Sequence, residues 1–263
     1  MSIDNFSSYA DCFNEISQNV RKITLNKSIL ENNYTIKKDD SPVTIYDIEA
    51  ENYIRKYIEN NFPSHNIIGE ELKIIDKKSE YTWIIDPIDG TKSFMSGRPL
   101  WGTMIGILKK NKPIIGMVDF PELDQLWIGH NDQLILNGND CHFVEKENIT
   151  LNNAIFASTA PELFEFLNLQ KINAIINKVR INIWSGDCHN YILLAQGKID
   201  LVIEENLNSW DILPLIPILK SRKIAITDWS GSEISFDFKT QKKFKVIAAC
   251  KRNLLNEVIQ LLN

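Results

Sequence analysis

Apolar residues near the start of the chain recur at helical spacing. Ile3, Phe6, Ala10, Phe13, Ile16, Val20 and Ile23 share one face of an amphipathic helix. A second helix is expected over residues 45–62, with Ile48, Tyr53, Ile54, Tyr57 and Ile58 on its apolar side and Pro63 just past its end. The period then changes. Residues 83–85 read as a short buried strand, and residues 102–108 and 114–120 as a hairpin around Lys109-Lys110-Asn111-Lys112-Pro113. Further strands are expected at 126–128 and 134–136, before the turn cluster Asn137-Gly138-Asn139-Asp140. In the second half, strands over 154–157, 199–203, 223–226 and 245–248 alternate with helices over 187–196, 211–220 and 253–262. That order predicts helices packed on sheets in layers, with subdomains of about 1–145 and 146–263.

With 263 residues and 44% apolar content, the chain can bury a full core as one large domain or two tightly packed halves. Its formal net charge of -5, and the lack of a basic run that could track a phosphate backbone, argue against nucleic acid and for a small ligand. Cys12, Cys141, Cys188 and Cys250 form no CxxC pair, so neither a zinc knuckle nor a disulfide framework is expected, and a reducing compartment is. No apolar run approaches the roughly 20 residues of a membrane span, and the first residues lack a signal-peptide pattern. A cytoplasmic protein without a membrane partner is the expectation.

The chemistry gathers at Asp86-Pro87-Ile88-Asp89-Gly90-Thr91, where an apolar strand breaks into a turn. Two carboxylates at the end of a buried strand are costly unless a cation sits between them. Pro87 fixes its own φ and Gly90 can take a positive one, so the turn is stiff, sharply bent and able to aim both acids at one point. Hard divalent cations such as Mg2+ take oxygen ligands, and the Ile88 carbonyl lies between the acids as a further donor. A helix starting just after Gly90 would offer free N–H groups to a phosphate. The competing reading makes Asp89 a helix N-cap.

Three more segments carry acids. Ile67-Ile68-Gly69-Glu70-Glu71 ends an apolar stretch in paired carboxylates, as an ordinary strand leaving the core also would. In Ser209-Trp210-Asp211-Ile212-Leu213, Asp211 opens an apolar helix, where an acid stabilises the helix dipole with or without a ligand. In the segment from Lys38, Asp39, Asp40 and Ser41 to Asp47, Thr44 and Asp47 have the spacing of a capping box.

Together these four segments resemble the inositol monophosphatase family of Mg2+-dependent, lithium-sensitive phosphomonoesterases, over nearly the entire chain. The family's Gly-Glu-Glu, Asp-Pro-Ile-Asp-Gly-Thr and Trp-Asp motifs stand at Gly69, Asp86 and Trp210 in that order. The resemblance implies a layered α/β fold, an α-β-α-β-α sandwich of mixed and antiparallel sheets, and a homodimer. It implies two or three Mg2+ ions held by Glu70, Asp86, the Ile88 carbonyl, Asp89 and Asp211. Glu70, Thr91 and Asp47 would be catalytic, with Asp47 pairing with Thr91 to orient the attacking water. Asp89, Gly90, Thr91, Asp187, Glu204 and Asp211 would face the substrate.

Residues 90–103, Gly186-Asp187-Cys188-His189-Asn190-Tyr191, and residues 199–204 leading into 214–217 look more like the histidinol-phosphatase branch than the inositol branch. Asp187 and Glu204 would then complement a ligand bearing an amine and an imidazole. Asp187 also reads as an N-cap, and His189 as a packed histidine. One segment departs from the family pattern: Leu219-Lys220-Ser221-Arg222-Lys223 stands where a small, glycine-rich stretch is common, and would reshape the pocket wall or lengthen a helix cap.

The expected reaction is in-line attack of water on a small phosphomonoester. Histidinol phosphate, in histidine biosynthesis, is the first expectation, with inositol phosphate or a 3'-phosphonucleotide as alternatives. A rival chemistry is that of the aspartyl-phosphate phosphatases, whose two acids stand two residues apart, whereas Asp86 and Asp89 are three apart with Pro87 beside the first. A non-enzymatic phosphate-binding scaffold of the same fold is disfavoured because no metal position in the motifs is replaced.

Overall fold

The computed structural model describes residues 6–26, 34–37, 42–141, 143, 146–240 and 242–263. Ile3, the side chain of Phe6, and Lys38, Asp39, Asp40 and Ser41 lie outside that description. Helix α1 spans Phe6–Thr24, and after the short strands β1 (Tyr34–Ile36) and β2 (Pro42–Thr44), α2 spans Ile45–Asn61. The start of α2 is fixed by the expected capping box: Asp47 Oδ2 accepts from Thr44 N at 2.8 Å, and Thr44 Oγ1 accepts from Tyr46 N at 3.2 Å. Ile48 departs from the expected apolar side and is exposed. The face that packs carries Asp47, Ala50, Glu51, Ile54, Arg55 and Ile58, so a polar stripe is buried along with the apolar one.

Seven strands follow in a sheet whose spatial order is their chain order: β3 (Asn66–Gly69), β4 (Tyr81–Asp89), β5 (Gly102–Lys109), β6 (Lys112–Phe120), β7 (Gln125–His130), β8 (Gln133–Leu136) and β9 (Asn139–Asp140). A short helix α3 (Thr91–Met95) links β4 to β5. Only β3 pairs parallel to its neighbour. The β5–β6 loop is tighter than the five residues expected, because Lys110 and Asn111 both take positive φ (50° and 64°), the two-residue turn that matches strand twist.

Alternation along these strands sends Trp83, Ile85, Ile105, Ile107 and Met117 against α1 and α2, and Ile84, Met104, Val118 and Phe120 to the opposite face. With both faces covered, the strands read as continuous apolar runs.

The second sheet has the order β11-β10-β12-β14-β13, from β10 (Ile155–Ser158), β11 (Ile181–Trp184), β12 (Leu201–Leu207), β13 (Ala225–Asp228) and β14 (Phe244–Ala249). Its first three strands are parallel and the remainder antiparallel. Outside it pack α4 (Phe166–Ile176) and α8 (Arg252–Leu262); between the sheets lie α5 (Cys188–Ala195), α6 (Ser209–Ile212) and α7 (Leu215–Ser221). The layers therefore run α-β-α-β-α. Neither α4 nor β11 was expected, because their apolar residues include the exposed Phe166, Leu167, Ile181 and Ile183 and mark no single buried face.

The single helix expected over 211–220 is instead two, broken at Leu213-Pro214, where proline has no N–H to continue the ladder. The break lies on a channel of glycine. Gly106, Gly116 and Gly129 are cross-strand partners on β5, β6 and β7. A Cβ at Gly116 would stand 1.8 Å from the Pro214 carbonyl oxygen, and one at Gly129 2.4 Å from Ile218 Cα. The α6–α7 backbone thus lies directly on the sheet, which sets the height of Asp211. Among the described residues no helix is long and apolar enough to cross a membrane.

Candidate active site

In a regular strand, residues three apart face opposite sides. Along β4, Asp86 opposes Met104 and Asp89 opposes Gly102, so one extra residue is accommodated at Pro87-Ile88. This bulge turns Asp86 and Asp89 toward the same cavity. Thr103 Oγ1 holds the bulge by donating to the Pro87 carbonyl at 2.8 Å, and the Ile88 side chain anchors it among Tyr46, Phe94 and Trp101. Gly90, at φ 83°, is the N-cap of α3, so Asp89 is not the cap. Its carboxylate accepts instead from Cys188 N, at 2.6 Å.

Glu70 follows β3, on a loop held by a buried ion pair. Arg55 Nε donates to Glu51 at 2.6 Å, Glu51 accepts from the N–H groups of Glu71 and Leu72 (2.7 and 3.2 Å), and Arg55 reaches the carbonyls of Leu72 and Lys73. Lys37 Nζ lies between Glu70 and Glu71, 2.7 and 2.6 Å away. Asp211, in the first turn of α6, takes part in a capping box with Asn208, accepting from its N–H at 2.7 Å. Glu70, Asp86, Asp89 and Asp211 line one cavity of about 460 Å³, together with the Ile88 position.

Electrostatics follow from this crowding. Burial, and then the charges of Glu70, Asp89, Asp211 and Asp47, raise the Asp86 carboxyl well above the usual range. Asp89 is raised by burial and by Asp187, and Asp211 by burial and Glu70, to about 7. Among the described residues no three His, Cys, Asp or Glu side chains form a ready-made metal cage, and Glu70, Asp89 and Asp211 each lean on a protein donor. The donor set still suits a hard divalent cation. It is all oxygen, its members repel one another, and Asp86 Oδ1 is buried with no hydrogen-bond partner among the described residues.

The remaining sequence candidates divide. Asp47 is wholly buried, with Oδ2 on the Thr44 N–H and hydroxyl (2.8 and 2.5 Å) and Oδ1 without a partner among the described residues; burial pushes it up to about 6. The expected Asp47–Thr91 pair is not formed, because the Thr91 hydroxyl donates to the Ile88 carbonyl at 3.1 Å. Asp187 heads α5 without a side-chain cap bond, and its carboxylate packs on Gly90, where a Cβ would stand 2.9 Å from Oδ2. Burial lifts it to about 6. Glu204 is buried at 3% exposure, accepts from Thr159 N and Oγ1 (3.0 and 2.6 Å), and is pushed by burial to about 8. His189 packs edge-on against Phe120, as a structural histidine. The departing segment 219–223 does not line this cavity; it forms the end and cap of α7.

Several site residues escaped the sequence reading. Thr159 and Ser185 follow the carboxyl ends of the parallel strands β10 and β11; Thr159 lines this cavity and Ser185 one that adjoins it. That position is the available signal, since open α/β sheets bind ligands there. Ser185, Gly186 and Asp187 all have positive φ (93°, 117° and 44°), a strained turn of the kind that persists at functional sites. Lys37 and Lys243 bring positive charge to the acids, and neither has a local signature.

A second cavity of about 470 Å³ shares Glu70, Gly90, Thr91, Thr159 and Asp187 with the first and is flanked by Lys92, Arg98 and Glu162. Residues 10–263 match the inositol monophosphatase family. The chain is 38% identical over 234 residues to the bifunctional phosphatase IMPL2, chloroplastic, of Arabidopsis thaliana, covering 86% of this chain and 67% of that one. It is 30% identical over 207 residues to a histidinol-phosphatase of Chlorobaculum parvum, covering 76% and 78%. An inositol monophosphatase from Zymomonas mobilis superposes with a TM-score of 0.82 at 29% identity, covering 97% and 98%. A bulged pair of aspartates, two further acids on the same cavity and a match along nearly the whole length agree: the chain belongs to the inositol monophosphatase family of phosphatases.

Proposed function

We propose that this protein is a Mg2+-dependent phosphomonoesterase whose preferred substrate is histidinol phosphate. The observation that carries the substrate preference is the acidic wall beyond the metal acids. Asp187 and Glu204 extend the same cavity, where burial is the first cause of their raised pKa values and a cationic ligand would favour their charged forms. A ligand with an amine and an imidazole supplies positive charge, whereas a neutral polyol does not. The similarity to a histidinol-phosphatase and to a bifunctional phosphatase supports the same choice.

Glu70, Asp86, Asp89, Asp211 and the Ile88 carbonyl would hold the ions. Mg2+ held there supplies Lewis acidity, lowering the pKa of a water and offsetting charge on the leaving oxygen. The chain's own groups do the rest. Thr91 Oγ1, its own proton directed to the Ile88 carbonyl, keeps lone pairs to orient the attacking water, and Asp47, wholly buried and lining neither cavity, would act on it only through the charge it places behind Asp86. The N–H groups of Gly90 and Thr91, at the start of α3 and without intrahelical acceptors, would donate to phosphate oxygens. Water oxygen bonds to phosphorus as the ester P–O bond breaks. The alcohol leaves with a proton, and inorganic phosphate remains.

Inositol phosphate is the second reading, favoured by the superposition on an inositol monophosphatase. Phosphate release from histidinol phosphate, inositol 1-phosphate and a 3'-phosphonucleotide under Mg2+ separates them. The proposal expects kcat/KM for histidinol phosphate at least about tenfold above the others. Equal or better turnover of inositol phosphate would replace it.

A further inference from the structure

The segment that departs from the family pattern, Leu219-Lys220-Ser221-Arg222-Lys223, ends in a cavity of about 290 Å³ that shares no lining residue with the acid site. Its walls carry Lys146, Arg222, Lys223 and Lys251, closed by Ile224, Gly197 and Cys250. No carboxylate lines it among the described residues. Behind the wall, Asp200 Oδ1 accepts from Lys146 Nζ at 2.7 Å. Arg222 is different. Its Nε and Nη2 are buried with no hydrogen-bond partner among the described residues, and it forms no ion pair there.

A guanidinium keeps its charge and presents its donors in a planar fork that matches an oxyanion. Leaving the N–H donors of Nε and Nη2 buried and unmade is costly unless something accepts from them. Cationic side chains around one small cavity, with Lys146 among them paired to the buried Asp200, give it a positive potential that would draw such an acceptor in, in a chain of net charge -5. From the buried, unpartnered Arg222 donors and the cationic walls around them, we infer that this cavity is a second anion-binding site. It takes a phosphate-sized oxyanion, free or as the phosphate of a small metabolite.

Four elements span the distance between this site and the acids: α5 runs from Cys188 toward the turn at Gly197, β12 follows Asp200 and carries Glu204, and α6 and α7 run from Asp211 to Arg222. The two sites can therefore be titrated apart. With EDTA present, the acid site is a cluster of carboxylates that repels phosphate. Inorganic phosphate, followed by phosphorus NMR line broadening at constant ionic strength set with NaCl, then reports the cationic cavity.

The wild-type chain is expected to bind one phosphate. Arg222→Gln should weaken binding at least about tenfold, and Lys223→Gln, on an exposed side chain, measurably but less. Lys243→Gln, at the acid site, should leave it unchanged. Absence of binding by the wild type, or binding lost in Lys243→Gln and kept in Arg222→Gln, overturns the inference. If Arg222→Gln fails to fold, an unaltered affinity in Lys223→Gln overturns it equally.

Discussion

At Asp86, burial and the charges of four neighbouring acids all oppose ionisation, and one carboxylate oxygen has no partner among the described residues. Asp86→Asn keeps the shape and removes the charge. Phosphate release should fall at least about a hundredfold, about 2.7 kcal/mol of barrier, while the melting temperature in EDTA at pH 8 stays level or rises as repulsion is relieved. A melting temperature several degrees lower would show that the carboxylate has a structural role instead.

Glu204 gives a pH test with a definite sign. Its folded value, about 8, lies above the ordinary 4.5, so between those two pH values the folded chain holds a proton that the unfolded chain has lost. Stability in EDTA should therefore fall as pH rises through that window, by at most about 1.4 kcal/mol per pH unit from this group, and level off above it. Glu204→Gln keeps an acceptor for Thr159 and removes the titration, so its stability advantage over wild type should grow from pH 5 to pH 8. Parallel melting curves for the two proteins across that range would contradict the assignment.

Among the elements, the glycine channel under α6–α7 does most to place Asp211. Gly116→Ala puts a methyl group into the Pro214 carbonyl, and a backbone cannot turn aside as a side chain can. The substitution should cost at least about 1–3 kcal/mol in urea unfolding and raise the Mg2+ concentration needed for half-maximal rate. Loss of stability with an unchanged Mg2+ requirement would separate the channel from the site.

Element scale also explains what could be read in advance. The Asp86–Thr91 turn was legible because strand, acids and glycine are contiguous, and the capping box at Thr44 because it rests on a three-residue spacing, whereas the bulge and the box at Asn208 went unread. The channel was not legible, because Gly106, Gly116 and Gly129 are separated in the chain and meet only across three strands. The same holds for Thr159 and Ser185, ordinary loop residues until β10 and β11 lie parallel, and for the Glu51–Arg55 pair that steadies Glu70. The Asp47–Thr91 pair came only from resemblance, and each of its side chains has a nearer partner.

For the whole molecule, the five layers bring two unlike sheets to one place. The seven-stranded sheet contributes Asp86 and Asp89 from a strand buried on both faces, so these acids sit on a stiff support. The second sheet contributes Thr159 and Glu204, and the helices between supply Asp187 and Asp211. Acids from separate layers converge where no single layer could tolerate them. On this account their common purpose is to hold divalent cations beside a phosphate ester. The most direct measurement is phosphate release from histidinol phosphate by the wild-type protein in Mg2+, then in excess EDTA, then with Mg2+ restored. The account predicts turnover that is lost by at least about a thousandfold in EDTA and recovered on adding Mg2+. Turnover that continues undiminished in EDTA would contradict it.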